Sequence, residues 1–254
     1  MEKPLEILNV RLKPNKGDRV QIMPIGDSHV GAPTCDLDLF VKTLKDCLDK
    51  KIYVLGMGDI MECGLRNSVG DSVYQQTMNP HDQLEALVYF FKPLAEAGLL
   101  LGMHSGNHEN RIMKETSLDI MDLACQMLGV PYLGYATMHN WKVGQQTYTA
   151  YSTHGSSGAR MPYSKIKAAL DLFRYVQTEI ALMGHLHSLN HMTATYFVSN
   201  KKGEVVEMQR HAIITGSFLK YRGSYAEMKN LPPERNGTAL ISLYGKSHEI
   251  YVSL

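Results

Sequence analysis

Ile52-Tyr53-Val54-Leu55-Gly56-Met57-Gly58-Asp59 is a short apolar run that passes through two glycines and stops on a carboxylate. Apolar runs of this length bounded by glycine read as strands buried on both faces. The rhythm recurs along the chain. Ile22 to Gly26 ends at Asp27, and Leu99-Leu100-Leu101 leads through Gly102 and Gly106 to Asn107. Tyr148 to Thr153 ends at His154, and Ile180-Ala181-Leu182-Met183 leads through Gly184 to His185. Helical stripes lie between these runs. Leu37, Phe40, Val41, Leu44 and Leu48 form one, with Thr34 or Asp36 as N-cap; Leu84, Leu87, Val88, Phe91 and Leu94 form another, which Pro93 should kink or shorten. Leu118, Met121, Cys125 and Leu128 form a third, capped by Ser117 and stopped by Gly129, and Ile166, Ala169, Leu170, Phe173 and Val176 a fourth. Strand then helix, several times over, predicts a layered α/β fold.

After His187 the texture changes. His191 to Ser199 alternates, Asn200-Lys201-Lys202-Gly203 reads as a turn, and Glu204 to Ile214 is β-rich. Thr238 to Leu243, a turn at Gly245 and His248 to Val252 make a further hairpin. The expected architecture is a β-sandwich of two mixed sheets flanked by helices, with a mainly antiparallel C-terminal quarter, in a single domain spanning residues 1–254. Pro24 is discordant, because proline cannot donate to a central ladder. Residues 60–80 and 220–237 fit neither pattern, and long irregular loops in a compact domain are commonly functional.

Composition sets the outer limits. The chain has 254 residues, 44% of them apolar, enough for a sizeable core and too many for a disordered or fibrous protein. Twenty-six basic residues stand against 25 acidic ones, so no global field draws the chain to nucleic acid or to a membrane. The cysteines Cys35, Cys47, Cys63 and Cys125 make no CxxC pair and read as free thiols in a reducing compartment. The start, Met1-Glu2-Lys3-Pro4-Leu5-Glu6, is too polar for a signal peptide, and the apolar runs are far shorter than a membrane span. The expectation is a soluble cytoplasmic protein, with homo-oligomerisation left open.

The residues that end the strands carry the chemistry: Asp27, His29, Asp59, Asn107, His108, His154, His185 and His187, which include five of the eleven histidines. Side chains just past the carboxyl ends of strands in open α/β sheets converge on one rim, where ligands bind. Imidazoles and carboxylates with one amide oxygen suit a borderline first-row dication such as Mn, Fe or Zn. Asp27-x-His29 alone means little, since aspartate and histidine are frequent here; Gly106-Asn107-His108 and Gly184-His185-x-His187 together, each after an apolar run, are a specific signal.

Gly26-Asp27-Ser28-His29, Gly58-Asp59, Gly106-Asn107-His108-Glu109, His154-Gly155 and Gly184-His185-Leu186-His187 resemble, in order, the five signature blocks of the calcineurin-like metallophosphoesterase superfamily. Gly216-Ser217 is similar to a late element of that family. The resemblance implies a two-sheet sandwich with a dinuclear metal centre at one rim. Carried over by position, it assigns Asp27, His29 and His187 to the first ion, Asn107, His154 and His185 to the second, and Asp59 to both as the bridge. The cofactors implied are two divalent ions, Mn first, with Fe, Zn or Ni as alternatives. His108 is implied to protonate the leaving oxygen or to stabilise the phosphoryl group, with Asp27 orienting it through a hydrogen bond.

Phosphoprotein phosphatases of this superfamily carry Gly-Asp-x-x-Asp-Arg-Gly at the second block. Here Glu62 replaces the second aspartate and Cys63 the arginine. The ending Gly184-His185-Leu186-His187 looks more like the phosphodiesterase and DNA-repair exonuclease branches, whereas Glu109 is shared with the phosphatases. A diester carries one negative charge and needs fewer arginine clamps, so the expected substrate is a nucleotide or nucleic-acid diester. The alternatives are a phosphomonoesterase and a non-catalytic scaffold of the same fold. Arg66, Arg111, Arg160 and Arg222 are candidates for holding substrate phosphate. A basic helix face of Arg160, Lys165, Lys167 and Arg174 is a further candidate, and the loops with Tyr74, Lys220, Tyr221 and Tyr225 are expected to reach the rim and set specificity.

Overall fold

The computed structural model describes residues 7–14, 17–66, 68, 73–200 and 202–254. The N-terminal hexapeptide, Lys201 of the expected turn and the middle of the 60–80 loop therefore lie outside the described residues, as does the side chain of Tyr225. Along the chain come β1 (Ile7–Leu12), β2 (Arg19–Ile25), α1 (Leu37–Asp49), β3 (Tyr53–Gly56), α2 (Pro80–Glu96), β4 (Leu100–Met103), α3 (Glu109–Thr116) and α4 (Ile120–Leu128). There follow β5 (Ala136–Val143), β6 (Gln146–Thr153), α5 (Pro162–Asp171) with a 3-10 turn at Leu172–Arg174, and β7 (Ile180–Met183). Then come β8 (Leu189–Ser199), β9 (Val205–Thr215), α6 (Tyr225–Met228), β10 (Leu240–Tyr244) and β11 (Ile250–Ser253).

The strands form a six-stranded sheet, β1-β5-β6-β7-β9-β8, and a five-stranded sheet, β11-β10-β2-β3-β4. Both are mixed. β2, β3 and β4 are parallel, as are β6, β7 and β9, while the hairpins β5–β6, β8–β9 and β10–β11 are antiparallel. One core joins both sheets to α1, α2 and α4, with Ile22, Val54, Phe40, Leu87, Trp141 and Ile241 among its fully buried members. A second, smaller core lies between the six-stranded sheet and α5. The continuous run of β7 follows from serving both: Ile180 and Leu182 enter the first core, Ala181 and Met183 the second. This is the predicted α/β sandwich flanked by helices.

Local chemistry sets the helix ends. Asp36 caps α1, accepting from Leu39 N, and Asn79 caps α2, accepting from His81 and Asp82 N, with Pro80 at the first turn where a missing N–H is harmless. Pro93 does not stop α2, which continues to Glu96. The third predicted helix needs correction at its start. Ser117 is no N-cap: its left-handed backbone (φ +61°) closes α3, and Asp119 caps α4 by accepting from Asp122 N at 3.1 Å. An N-cap needs extended backbone, which Asp119 has and Ser117 lacks.

Pro24 also finds its explanation. Asp27 N and Ile25 O bond toward β3, so the alternate residue Pro24 faces β10. The β10 ladder ends at the Ile22–Ile241 pair, before a Pro24 N–H would be required, and the Thr238 hydroxyl donates to Pro24 O. The strands β1 and β5 escape the sequence reading, because β5 interrupts its apolar positions with polar His139 and Asn140. Cys47, Cys63 and Cys125 are buried and Cys35 half-buried, all as free thiols. Burial pushes Cys35, Cys47 and Cys125 up to about 12, far from a reactive thiolate. Among the described residues no helix is long and apolar enough to cross a membrane.

His139 on β5 and His104 beyond β4 converge on the Ser152 hydroxyl, each with Nε2 at 2.6 Å, deep in the interior. Burial pushes the first imidazole down to about 3 and the second to about 4. Below the ordinary histidine pKa near 6.5 the unfolded chain takes up protons that the native state refuses, so stability falls with pH from about 6.5 toward those values. The slope is at most ~1.4 kcal/mol per pH unit for each histidine. Thermal melts of wild type should therefore drop steeply between pH 6.5 and 4, and His139→Gln should flatten the drop; an unchanged slope would mean that His139 is not held neutral.

Candidate metal centre

The strand-end side chains come from both sheets. Asp27 and His29 follow β2, Asp59 follows β3, Asn107 and His108 follow β4, His154 follows β6, and His185 and His187 follow β7. The segments leaving β2 and β3 continue side by side: Asp27 N donates to Gly58 O at 3.0 Å, His29 N to Asp59 O at 3.0 Å, and Val30 N to Ile60 O at 2.7 Å. Glu109, buried at the start of α3, ties the next loop to them. One of its oxygens accepts from Asp59 N and Gly106 N, the other from Met61 N, all at 2.9 Å. The approach is so close that a Cβ on Gly106 would lie 2.1 Å from Asp59 Oδ1. Asp27, His29, Asp59, His185 and His187 all have positive φ, between 47° and 66°, which L-residues hold only when their surroundings impose it.

Among the described residues three groups of donors gather here, one of them His29, Glu62 and His108, and the other two share Asp59. Ligand atoms of Asp27, His29, Asp59 and His187 lie within 4.8 Å of one another, and so do those of Asp59, His154 and His185. Both groups could hold a divalent cation, with Asp59 common to the two. Hydrogen bonds on the far side of the His29 and His154 rings aim their inner nitrogens. His29 Nδ1 donates to Glu62 Oε2 at 2.9 Å, which turns Nε2 inward to 3.2 Å from His187 Nε2. His154 Nδ1 donates to Met57 O at 2.8 Å, which turns Nε2 toward Asn107 Oδ1 at 3.1 Å and Asp59 Oδ2 at 3.3 Å. Such outer hydrogen bonds fix tautomer and direction in metal-binding imidazoles. Asp27 Oδ2 accepts from His185 N at 2.9 Å, while Oδ1 is buried without a hydrogen-bond donor, 3.1 Å from His187 Nε2. Inward-facing acceptors around one orphaned carboxylate oxygen are a donor set that fits cations.

The electrostatics agree. Burial alone would raise the Asp59 carboxyl, yet the imidazoles of His154, His108 and His29 overcome it and hold the group well below the usual range. Asp27 follows the same pattern, with His187 as its main counterweight. Burial pushes His154 down, but Asp59, Asp27 and the Met57 carbonyl lift it to about 10, a measure of how strongly this spot attracts positive charge. His29 and His185 are instead driven down by burial and by neighbouring imidazoles, which leaves their lone pairs available.

His108 sits at the edge of this cluster. Its Nδ1 faces Glu62 O at 2.8 Å and Glu62 Oε2 at 3.3 Å, and its Nε2 lies 2.9 Å from Arg111 Nη2. The expected hydrogen bond from Asp27 is therefore replaced. Asp27 Oδ2 accepts from His185 N and Oδ1 lies against His187, away from His108, and Glu62 orients His108 in its place. Burial lowers the His108 pKa and the Asp59 and Glu62 carboxylates raise it further than that, with Arg111 opposing. Arg111 is drawn to the cluster, with Nη1 at 3.1 Å from Glu62 O. Arg66, Arg160 and Arg222 are exposed and enter none of the cluster's hydrogen bonds or ion pairs among the described residues. The expected basic face of α5 is partly neutralised, since Lys165 pairs with Glu234 at 2.8 Å and Lys167 with Asp171 at 2.5 Å. Sequence reasoning assigned no role to Glu62 or Glu109; their places three residues after Asp59 and two after Asn107 were the available signal.

No protein-family model matches the sequence, and no curated protein does. Among solved structures, the chain is similar to that of a conserved uncharacterised protein from Streptococcus pneumoniae TIGR4, a predicted phosphoesterase. The two share 15% sequence identity over 92% of this chain and 93% of the other, with a TM-score of 0.38.

Asp59 belongs to both donor groups, so Asp59→Asn should lower the metal content per chain by elemental analysis. Gly106→Ala should do the same indirectly, by pushing Asp59 from its place. Full metal content in both variants would remove Asp59 from the bridging position.

Proposed function

We propose that this protein is a dinuclear metal-dependent phosphoesterase that hydrolyses a phosphodiester of a nucleotide or nucleic acid. The observation that carries the reading is the pair of donor groups meeting at Asp59, each with inward-facing acceptors fixed from behind. Asp27, His29, Asp59 and His187 would hold one divalent ion, and Asp59, Asn107, His154 and His185 the other; manganese heads the choice, with iron, zinc or nickel as alternatives. Bound there, the ions would activate water at neutral pH and neutralise phosphoryl oxygens. The strand-end motifs and the resemblance they carry agree with this.

The chain's own residues supply the rest. His108 holds a proton for the leaving oxygen at Nε2, while Glu62 anchors its Nδ1. Arg111 lies against that same Nε2, so the guanidinium must turn toward a phosphoryl oxygen as the imidazole takes up its task. The Glu62 carboxylate also accepts from His29, while its carbonyl at 2.8 Å and its carboxylate at 3.3 Å both face His108 Nδ1, so one residue orients a metal donor and the acid.

One observation favours the phosphomonoesterase reading. Arg111 brings a guanidinium to the cluster despite Cys63, whose side chain is buried, at the position where phosphatases carry arginine. The deciding experiment is hydrolysis of an aryl diester against the matching aryl monoester with Mn after chelation and reconstitution. Activity lost with chelator, regained with Mn and greater on the diester is the expected result; a monoester preference installs the alternative, and no hydrolysis of either overturns the reading.

His108→Gln should retain both metals and lower kcat roughly 10²–10⁴-fold, the usual share of general acid–base catalysis. The loss should shrink for activated leaving groups. Glu62→Gln should also weaken metal retention, about 10–100-fold in affinity, because it loosens His29 as well. If Glu62→Gln keeps wild-type affinity and rate, the carboxylate has no orienting role.

A further inference from the structure

Beyond Asn107 and His154 the rim opens into a cleft of about 670 Å³, within the range of small-molecule sites. We infer that this cleft receives the nucleoside of the substrate, an inference that rests on the phosphoesterase reading and adds the part of the substrate that reading leaves open. Two tyrosines at its mouth present large apolar surfaces to solvent: Tyr135 is 57% exposed and Tyr175 69%. Each is held in place. The Tyr135 hydroxyl donates to Asn110 Oδ1 at 2.9 Å, and Tyr175 stands edge-on to the buried Tyr151 ring, with centroids 6.4 Å apart and planes at 88°. Leu172 and Met183 contribute apolar wall, and Ser156 and Ser157 add hydroxyls.

Charge decides which part of a diester enters. Among the described residues that line the cleft there is no lysine or arginine, and the one carboxylate, Asp171, is paired with Lys167 at 2.5 Å. A second phosphate would find no lining cation to receive it, so an extended strand is disfavoured there. A flat, uncharged ring with hydrogen-bonding edges fits the fixed tyrosine faces, the Asn110 amide and the serine hydroxyls. Because His154 belongs to both the cleft and the donor cluster, and Asn107 of the cleft contacts His154, the ring would lie next to the phosphate.

Calorimetric titration of the full chain in Mn buffer, with phosphate release followed alongside, tests this using thymidine 5′-monophosphate, 2-deoxyribose 5-phosphate and methyl phosphate. The nucleotide should bind roughly 10–100-fold tighter than the other two, the gain that stacking on aromatic side chains supplies. Tyr175→Ala and Tyr135→Ala should bring that ratio toward one, whereas Tyr175→Phe should preserve it. Tyr89→Ala, an exposed tyrosine on α2, should leave the ratio untouched. Equal affinity for the three ligands in wild type, or a ratio that survives both alanine variants, overturns the inference while the phosphoesterase reading stands. Failure of all three to bind, with no hydrolysis of aryl esters, overturns both.

Discussion

The buried Glu109 carboxylate, accepting from Asp59, Met61 and Gly106 at once, is the constraint on which the rim depends. It binds the loop after β3 to the loop after β4 through backbone amides, so the geometry of Asp59 is set by main-chain atoms. Burial and the nearby Asp59 charge drive its pKa up to about 7, while the donated N–H groups hold it down. A carboxylate kept in such a place is worth its desolvation only through the hydrogen bonds it completes. Gly106 and Gly58 follow from it, because a side chain on either would collide with Asp59, His154 or the other loop.

Around that knot, acids and imidazoles alternate so that each compensates its neighbour. Asp27 faces His187, Asp59 faces His154, and Glu62 lies between His29 and His108. The outer hydrogen bonds to Glu62 and the Met57 carbonyl turn the inner nitrogens toward the centre. The two sheets meet at this rim, so a shift of one against the other would separate Asp27 and Asp59 from His154 and His187. Packing between the sheets, through residues such as Ile22, Ile180 and Leu182, is therefore also a positional requirement of the donors.

Much of this was legible in the sequence because the strands that matter are buried on both faces. A continuous apolar run closed by glycine and a polar residue marks both a strand and the side chain at its rim, and Asp27, Asp59, Asn107, His154 and His185 were found so. In the structure Asp27, His29, Asp59 and His187 lie together, as do Asp59, His154 and His185. What was not legible depends on tertiary contact. The sequence reading lets a ligand carboxylate, Asp27, orient His108 through a hydrogen bond, but Glu62 reaches the ring because the chain after β3 runs alongside Val30. The start of α4 was misplaced because Ser and Asp are both good caps, and only backbone conformation separates Ser117 from Asp119. The cleft beside His154 gathers Tyr135, Tyr151 and Tyr175 from three separate stretches, with no shared spacing to reveal it.

The left-handed backbone of the donor residues bears on how such a chain can evolve. Asp27, His29, Asp59, His185 and His187 occupy conformations that glycine adopts freely. At each position, therefore, the mutation that relaxes the backbone also deletes a side chain facing the centre. Selection for thermal robustness and selection for chemistry pull these five codons in opposite directions, and a lineage freed from the second would drift toward glycine there first.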